Sequence, residues 1–285
     1  MDRRALMVVL ALALGAVLFL FWQWPTVRVL RVADGKVVGF ATLMDDLKGT
    51  RFIFVGESHE RASDHRAQLD IIRQLHGDGI PLAIGMEMFT AGSQEILDRW
   101  VAGQSRPADF VRSYYREWPI PWPLYRDIFV YARQHSIPLI GLNIPRGISR
   151  KVARNGFAAL TAGERQELPA GVTCSVDAEY RAFIRRAYAA HEESEETFEH
   201  FCEAQMLWNG VMAKHLLEYG KRHPDATIVV LAGIGHAMKG GIPQELSRSP
   251  AMSYRVILPE LSHLDQAKVT DKDADYLWLA GFWEK

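Results

Sequence analysis

The chain has 285 residues, enough to bury a substantial core as one large domain or two small ones. Hydrophobic residues make up 48% and charged residues 24% of it, which are ordinary proportions for a globular protein. The formal net charge of −1 gives no basic footprint of the kind that nucleic acid attracts, so the composition argues against nucleic-acid binding.

The first 26 residues predict a membrane anchor. Two arginines precede an uncharged apolar run over residues 5–22. A helix of that length spans roughly 27 Å, about the thickness of the hydrocarbon core of a bilayer. Trp22 and Trp24 fit an interfacial aromatic belt, and Pro25 ends the helix. The arginines place the N-terminus in the cytoplasm and the rest of the chain across the membrane.

A cleaved signal peptide is the alternative interpretation of the same segment. Ala13 and Gly15 are small residues of the kind that a signal peptidase accepts, but cleavage there leaves an apolar mature N-terminus over residues 16–22. No cysteine lies nearby to accept lipid. An uncleaved anchor is favoured because signal-peptide apolar regions are typically shorter. We therefore expect an inner-membrane protein with residues 27–285 as a single domain on the periplasmic, extracytoplasmic side.

The two cysteines, Cys174 and Cys202, are compatible with an oxidising compartment. A disulfide between them and a pair of separate buried thiols both agree with the sequence. The sequence does not decide between these two states.

Strand and helix patterns alternate along the exported domain. Residues 27–40 predict a hairpin with its turn at Asp34 and Gly35, and residues 41–48 predict a short helix. Apolar strand-like runs follow at residues 52–55, 82–88, 138–142, 227–232, 255–258 and 276–279. Helical periodicities lie at residues 63–75, 93–101, 125–134, 175–188, 195–219 and 243–247. The alternation predicts an α/β fold, a three-layer α/β/α sandwich around a mostly parallel sheet.

Polar side chains follow four of these predicted strands. Residues 56–59 read Gly-Glu-Ser-His, and residues 233–236 read Gly-Ile-Gly-His. Glu87 lies near the end of another strand, and Asn143 directly follows a further one. In an open parallel sheet, ligands bind outside the carboxyl ends of the strands. The sequence therefore predicts a site at one rim of the sheet, built from Glu57, His59, Glu87, Asn143 and His236.

Each of these residues also has a purely structural interpretation. A histidine after a strand often caps a helix or satisfies a carbonyl, and Glu57 is well placed to accept bonds from a helix N-terminus. Glu87 is harder to explain in this way, because a carboxylate within an apolar strand is seldom buried without a partner. Two Gly-x-x-His turns accompanied by two carboxylates favour a functional site.

An ordered series of motifs resembles a known family. Asp-His-Arg-Ala-Gln at residues 64–68, which contains His65, follows the first Gly-x-x-His turn. Asn-Ile-Pro-Arg at 143–146, Ala-Gln-Met-Leu-Trp at 204–208 and Gly-Ile-Pro at 241–243 come later. Over roughly residues 40–260 the series resembles the ChaN-like haem-binding family of the haem-binding uptake and Tiki superfamily. That superfamily also contains Tiki-type proteases and erythromycin esterase.

The resemblance implies an α/β/α sandwich associated with haem or iron acquisition at the cell envelope. It also implies a ligand shared between the subunits of a homodimer. This chain departs from the family's lipoproteins in one respect: they carry an N-terminal lipidated cysteine, whereas here an apolar segment takes that position.

Haem needs an axial ligand, apolar walls and often a cation near its propionates. The candidate ligands are His59, His65, His236 or a tyrosine. The candidate partners of the propionates are Arg61, Arg126 and Arg146.

The aromatic segment at residues 110–131 is a candidate wall for haem. It contains Tyr114 and Tyr125, either of which would offer a phenolate to ferric iron. Three prolines, at positions 119, 121 and 123, interrupt its helical pattern and suggest an extended lid or rim. A helix pair with a buried aromatic seam is the alternative.

The resemblance implies a second class of function, a metal-dependent hydrolase. In a Tiki-like version, His59 and His236 hold a divalent metal such as zinc or manganese, and Glu57 or Glu87 acts as general base. In an erythromycin-esterase-like version, a histidine activates water without a metal. No motif identifies a hydrolytic substrate. A scaffold is the third interpretation, and it is disfavoured because a structural cluster rarely needs two histidines and two carboxylates. A membrane-tethered protein that binds haem or another iron-bearing ligand is favoured.

Overall fold

The computed structural model describes residues 27–166, 168, 176, 178–188, 195–247, 252–260 and 269–279. The predicted anchor at residues 1–26 and Cys174 lie outside these ranges. Within them, no helix is long and apolar enough to cross a membrane.

Eight strands of the described chain form one sheet in the order β2-β1-β8-β7-β3-β6-β4-β5. They are β1 (Arg28–Arg31), β2 (Lys36–Gly39), β3 (Phe52–Glu57), β4 (Leu82–Thr90), β5 (Leu139–Asn143), β6 (Thr227–Gly233), β7 (Tyr254–Pro259) and β8 (Tyr276–Leu279). The six strands from β8 to β5 run parallel, and the β1–β2 hairpin joins β8 antiparallel. The predicted α/β fold with a mostly parallel sheet is therefore confirmed.

The hairpin turns where the sequence predicted. Arg31 pairs with Lys36, so residues 32–35 make the turn, and Gly35 has a φ of +66°. This left-handed conformation is readily open to glycine and strained for most other residues. Asp34 supports the turn by accepting a hydrogen bond from the backbone N–H of Lys36 at 3.3 Å.

Helices pack on both faces of the sheet. They are α1 (Phe40–Leu47), α2 (Ala62–Gly77), α3 (Gln94–Val101), α4 (Pro107–Glu117), α5 (Trp122–Gln134), α6 (Arg146–Asn155), α7 (Ala162–Gln166), α8 (Ala178–Tyr188), α9 (Glu195–Arg222), α10 (Ile234–Ala237) and α11 (Ile242–Ser247). Alternate residues of β3 face opposite sides, because side chains of a strand alternate. Ile53 and Val55 join the apolar cluster that α1 to α5 cover, whereas Phe52 and Phe54 join the cluster under α8, α9 and α11.

The aromatic segment forms a helix pair, so the expectation of an extended lid is wrong. Residues 107–117 and 122–134 are α4 and α5, and their aromatic rings pack together in the core. Pro107 and Pro123 lie in the first turns of these helices. Backbone N–H groups there have no partner within the helix, so a proline costs no hydrogen bond. Pro119 and Pro121 lie in the connection between them.

Candidate functional site

The strand order gathers the predicted residues at one rim of the sheet. β6 lies between β3 and β4, and Glu57 at the end of β3 pairs with Gly233 at the end of β6. Glu87 lies in β4, beyond the last residue that pairs with β6. The short helix α10 begins after Gly233 and carries His236. All four residues therefore lie at the carboxyl ends of three adjacent parallel strands.

Glu57 is buried and surrounded by hydrogen-bond donors. Its Oε1 accepts bonds from His59 Nδ1 at 2.8 Å and from the hydroxyl of Tyr125. Its Oε2 accepts a bond from Gln68 Nε2 at 2.7 Å and lies 3.4 Å from His65 Nδ1. Burial alone would raise the pKa of this carboxyl, but the two histidines outweigh it and lower the pKa to about 2. Glu57 is therefore ionised at neutral pH.

The described polar groups around the ring nitrogens of His65 are all acceptors, which favours its protonated form. Its Nε2 lies 3.0 Å from the carbonyl oxygen of His59, and its Nδ1 lies near Glu57 and 3.3 Å from Gln68 Oε1. The amide of Gln68 cannot be reversed, because its Nε2 donates to Glu57 and to the carbonyl of Val55. These contacts favour the form of His65 in which both ring nitrogens carry a proton. Burial lowers the pKa of His65, but the Glu57 carboxylate outweighs this and raises it overall.

His59 is oriented by Glu57 and leaves its second nitrogen available. Because Nδ1 donates to the carboxylate, Nε2 carries a lone pair whenever the ring is neutral. The ring is 35% exposed, and Trp118 packs edge-on against it at 5.1 Å. Burial lowers the pKa of His59, but hydrogen bonding to Glu57 and the charges of Glu87 and Glu57 outweigh it, so the pKa is raised.

His236 is held by a directed chain of hydrogen bonds. The Tyr180 hydroxyl donates to the carbonyl of Gly235 at 2.8 Å and accepts a bond from Asn209 Nδ2 at 2.9 Å. The Asn209 carbonyl oxygen therefore accepts from His236 Nδ1, at 2.7 Å. In neutral His236 the lone pair must then lie on Nε2. Burial lowers the pKa of His236, which favours this neutral form.

Glu87 lies between the two histidines. Its Oε2 accepts a bond from the backbone N–H of Gly233 at 2.7 Å, and its Oε1 lies 3.9 Å from His236 Nε2. A β-carbon on Gly233 would lie 2.9 Å from His59 Cε1 and 3.7 Å from Glu87 Oε2. Both side chains thus converge over Gly233, where only a hydrogen leaves them room.

The remaining predicted residues take different positions. Asn143 lies at the rim and donates to the backbone oxygen of Glu87 at 2.8 Å. Tyr125 joins the cluster through Glu57, whereas the Tyr114 hydroxyl donates to the carbonyl of Ile120 at 2.8 Å, within the aromatic core. Burial raises the pKa of both phenols. Arg146 begins α6 beside Asn143, outside the hydrogen-bonded cluster.

Sequence reasoning missed three residues that support the site. Gln68 and Asn209 are polar but buried, with exposed fractions of 0% and 1%, and Tyr180 is 2% exposed. A buried amide on a helix is a signal in principle, because burying one without partners is unfavourable. Neither the burial of Asn209 nor its partners follow from local pattern, since α8 and α9 bring them from distant parts of the chain.

The described residues do not form a metal centre of the kind that the metal-dependent hydrolase requires. No group of three or more His, Cys, Asp or Glu side chains among these residues is arranged to hold a metal ion. His59 and His236 approach the same space, but one nitrogen of each is committed to Glu57 or Asn209.

The fold and this rim define an α/β protein with a polar strand-end site between parallel strands. Its family is shown by sequence: the chain belongs to the family described as haem-binding uptake, Tiki superfamily, ChaN, whose model matches residues 43–246. The resemblance inferred from the motifs is thereby confirmed. A search of the curated proteins by sequence gave no match.

Solved structures share the fold at low sequence identity. ChaN of Campylobacter jejuni, solved for its cofacial heme binding, superposes with a TM-score of 0.70 at 19% identity, covering 88% of this chain and 96% of that one. A mutant of the erythromycin esterase EreC in its open conformation superposes with a TM-score of 0.50 at 15% identity, covering 77% of this chain and 72% of that one. The type III effector HopBA1 superposes with a TM-score of 0.50 at 11% identity, covering 90% of this chain and 97% of that one. At such identities these likenesses establish the fold.

Proposed function

We propose that this protein binds haem, or a similar iron-bearing ligand, at the cell envelope and serves its uptake or trafficking. The observation that supports this most directly is the bond between His236 Nδ1 and Asn209, because it leaves the lone pair of a neutral His236 on Nε2, at the site. Family membership and the cofacial heme binding of the C. jejuni ChaN point to the same ligand class. Residues 1–26 would tether the domain on the periplasmic side.

The residues at the rim fit haem. An axial ligand must be a neutral imidazole, a thiolate, a thioether or a phenolate. No described residue makes a hydrogen bond to Nε2 of His59 or of His236. Each ring also has an indole packed edge-on against it, from Trp118 and Trp208 respectively. Haem would supply the iron that these nitrogens coordinate. A pair of subunits facing each other across this rim would enclose such a ligand from both sides.

The tyrosines are less suited to the axial role in this arrangement. The Tyr125 hydroxyl is bonded to Glu57, and the Tyr114 hydroxyl is bonded to a backbone carbonyl. Either phenol would have to break its bond and leave the core to reach iron. We therefore assign Tyr125 to the support of Glu57 and the ligand role to histidine.

Titration of the purified domain with hemin tests the proposal. A saturable shift of the Soret band at micromolar protein is expected, and it should be lost or moved in His236→Ala or His59→Ala. His223→Ala is the matched control, because His223 is exposed and precedes β6, at the opposite rim of the sheet. If the unaltered protein shows no saturable shift, haem is excluded as its ligand.

A metal-free hydrolase is the second candidate, supported by the Glu57–His59 pair. An ionised carboxylate that holds Nδ1 of a histidine leaves Nε2 free to take a proton from water. Glu87 would then stabilise the imidazolium that forms. A screen of ester and peptide substrates, with His59→Ala as the inactive control, tests it. Turnover that disappears in this variant would favour the hydrolase over haem binding.

A further inference from the structure

A cleft of about 250 Å³ opens beside the histidine site. It lies between the end of α4, the carboxyl ends of β4 and β5, and the start of α6. Its lining is mixed, and Met88, Trp118, Ile144 and Pro145 supply the apolar part. Two arginines, Arg116 and Arg146, complete the lining together with Glu117, Thr90 and Asn143.

The cleft and the histidine site share their dividing wall. Met88 directly follows Glu87 in β4, and Asn143 donates to the backbone oxygen of Glu87. Trp118 lines the cleft and packs edge-on against His59. A ligand that lies over this wall would therefore touch both the histidines and the cleft.

The charge of the cleft favours an anion. The Glu117 carboxylate is already bonded, since it accepts from the backbone N–H of Thr90 at 3.1 Å and from the Ser93 hydroxyl at 2.6 Å. Arg116 donates one hydrogen bond to Ser113 Oγ at 2.8 Å. The Arg146 guanidinium makes no hydrogen bond or ion pair with any residue in the described ranges. None of its N–H donors is used by the part of the chain that the structure describes, so they are available to a ligand.

Arg146 is thereby distinguished from the other candidate partners of a propionate. Arg61 donates to the carbonyl of Glu260 at 2.9 Å, and Arg126 pairs with Asp127 at 2.9 Å. Neither of these arginines lines the cleft.

The size of the cleft limits what it holds. Pockets that enclose a whole drug-sized ligand measure roughly 300–1,000 Å³. A cleft of about 250 Å³ is smaller than this, so it accommodates one edge of a large flat molecule rather than the whole.

We propose that this cleft binds a carboxylate at the edge of a flat apolar ligand, with Arg146 as its main partner and Arg116 as its second. The proposal rests on the proposed function, in which that carboxylate is a propionate of haem. Arginine suits the task, because its planar guanidinium binds a carboxylate through two parallel hydrogen bonds. Trp118 and Met88 would pack against the ring edge next to it.

The test compares hemin with hemin dimethyl ester, in which both carboxylates are blocked. We expect the unaltered protein to prefer hemin by about tenfold, in line with the loss of a charge-assisted hydrogen bond. In Arg146→Gln this preference should vanish, because hemin affinity falls about tenfold while ester affinity stays the same. Arg116→Gln should show a smaller loss. Arg150→Gln is the matched control, since Arg150 is an exposed arginine one turn further along α6 that does not line the cleft.

Metal-free protoporphyrin IX provides a second arm, because it carries both carboxylates and has no iron to ligate. Its fluorescence titration should also show weaker binding in Arg146→Gln. Equal hemin affinity in the unaltered protein and Arg146→Gln would overturn the proposal, as would an equal loss for hemin and its ester. If the unaltered protein binds protoporphyrin IX but shows no histidine-dependent Soret shift with hemin, the axial-ligand assignment fails and the cleft stands.

Discussion

Asn209 sets which nitrogen of His236 faces the site. Its carbonyl oxygen lies 2.7 Å from His236 Nδ1, and its amide nitrogen is committed to the Tyr180 hydroxyl. Tyr180 in turn donates to a backbone carbonyl, so the donor and the acceptor of each hydrogen bond in this series are determined. The site therefore offers a lone pair at His236 Nε2 without depending on a ligand to select it.

Replacement of Asn209 by leucine should weaken ligand binding through His236. Without this acceptor, the His236 ring can rotate, and its proton can move to Nε2. Residues that hydrogen-bond a metal-ligating histidine typically change metal affinity by about 10–100-fold. We expect hemin affinity to fall by about tenfold or more in Asn209→Leu. Nitrogen chemical shifts of His236 should report a protonated Nδ1 in the unaltered protein and a mixture of tautomers in the variant.

Tyr180→Phe is the graded control for this prediction. It removes the outer hydroxyl but leaves the Asn209–His236 bond, so its effect on hemin affinity should be smaller. A single tautomer in Asn209→Leu, with unchanged affinity, would contradict the positioning role of Asn209.

The pH dependence of hemin binding should identify the histidine that ligates iron. Burial lowers the pKa of His236 below the ordinary value of 6.5, so its lone pair persists in mildly acidic solution. The pKa of His59 is raised above 6.5, so its Nε2 is already protonated there. With His236 as the ligand, affinity should stay constant from pH 7.5 down to 6.5 and decline only below that. A decline that begins above pH 6.5 would assign the ligand to His59 instead.

Glu57 and His65 should contribute to stability in opposite parts of the pH scale. The pKa of Glu57 is lowered to about 2, so its contribution is present above its unfolded value of 4.5 and is lost as the pH falls towards 2. The pKa of His65 is raised, so its contribution is complete below 6.5 and is lost as the pH rises through the folded value.

Glu57→Gln should accordingly be among the most destabilising single changes at the rim. It leaves a buried imidazolium without its counter-ion, and breaking a buried pair in this way costs about 3–5 kcal/mol of unfolding free energy. Urea unfolding from pH 3 to pH 9 measures this quantity. The Gln variant should become relatively less destabilised as the pH rises through the folded pKa of His65, because the unaltered protein then loses the imidazolium that Glu57 stabilises. A loss below 1 kcal/mol at pH 6 would show that the pair is not a buried ion pair.

How far the sequence predicts this site depends on the range of the interactions involved. Glu57, His59, Glu87 and His236 were predicted to lie together because parallel strands present their carboxyl ends at the same rim. The insertion of β6 between β3 and β4 was not predicted, since strand order depends on packing between distant segments. Asn209 and Tyr180 were missed for the same reason. The prolines near residue 120 misled the prediction of the aromatic segment, because a proline in a helix's first turn reads locally like a break.

Gly233 provides a steric test of the site. A β-carbon there would lie 2.9 Å from His59 Cε1, closer than real β-carbons approach a neighbour, and 3.1 Å from His59 Nε2, which is tighter than most such contacts. Gly233→Ala should therefore displace His59 and loosen the Glu87 bond to the Gly233 N–H, with a loss of about 1–3 kcal/mol in unfolding free energy.

Gly77→Ala is the matched control, because a β-carbon at this helical position meets nothing within 4 Å. It should leave hemin binding unchanged and raise the unfolding free energy by up to about 1 kcal/mol. For Gly233→Ala we expect a weaker Soret shift and a changed His59 ring resonance, both measured on folded protein. An alanine at 233 that leaves the His59 resonance and hemin affinity unaltered would mean that the two side chains do not converge over Gly233.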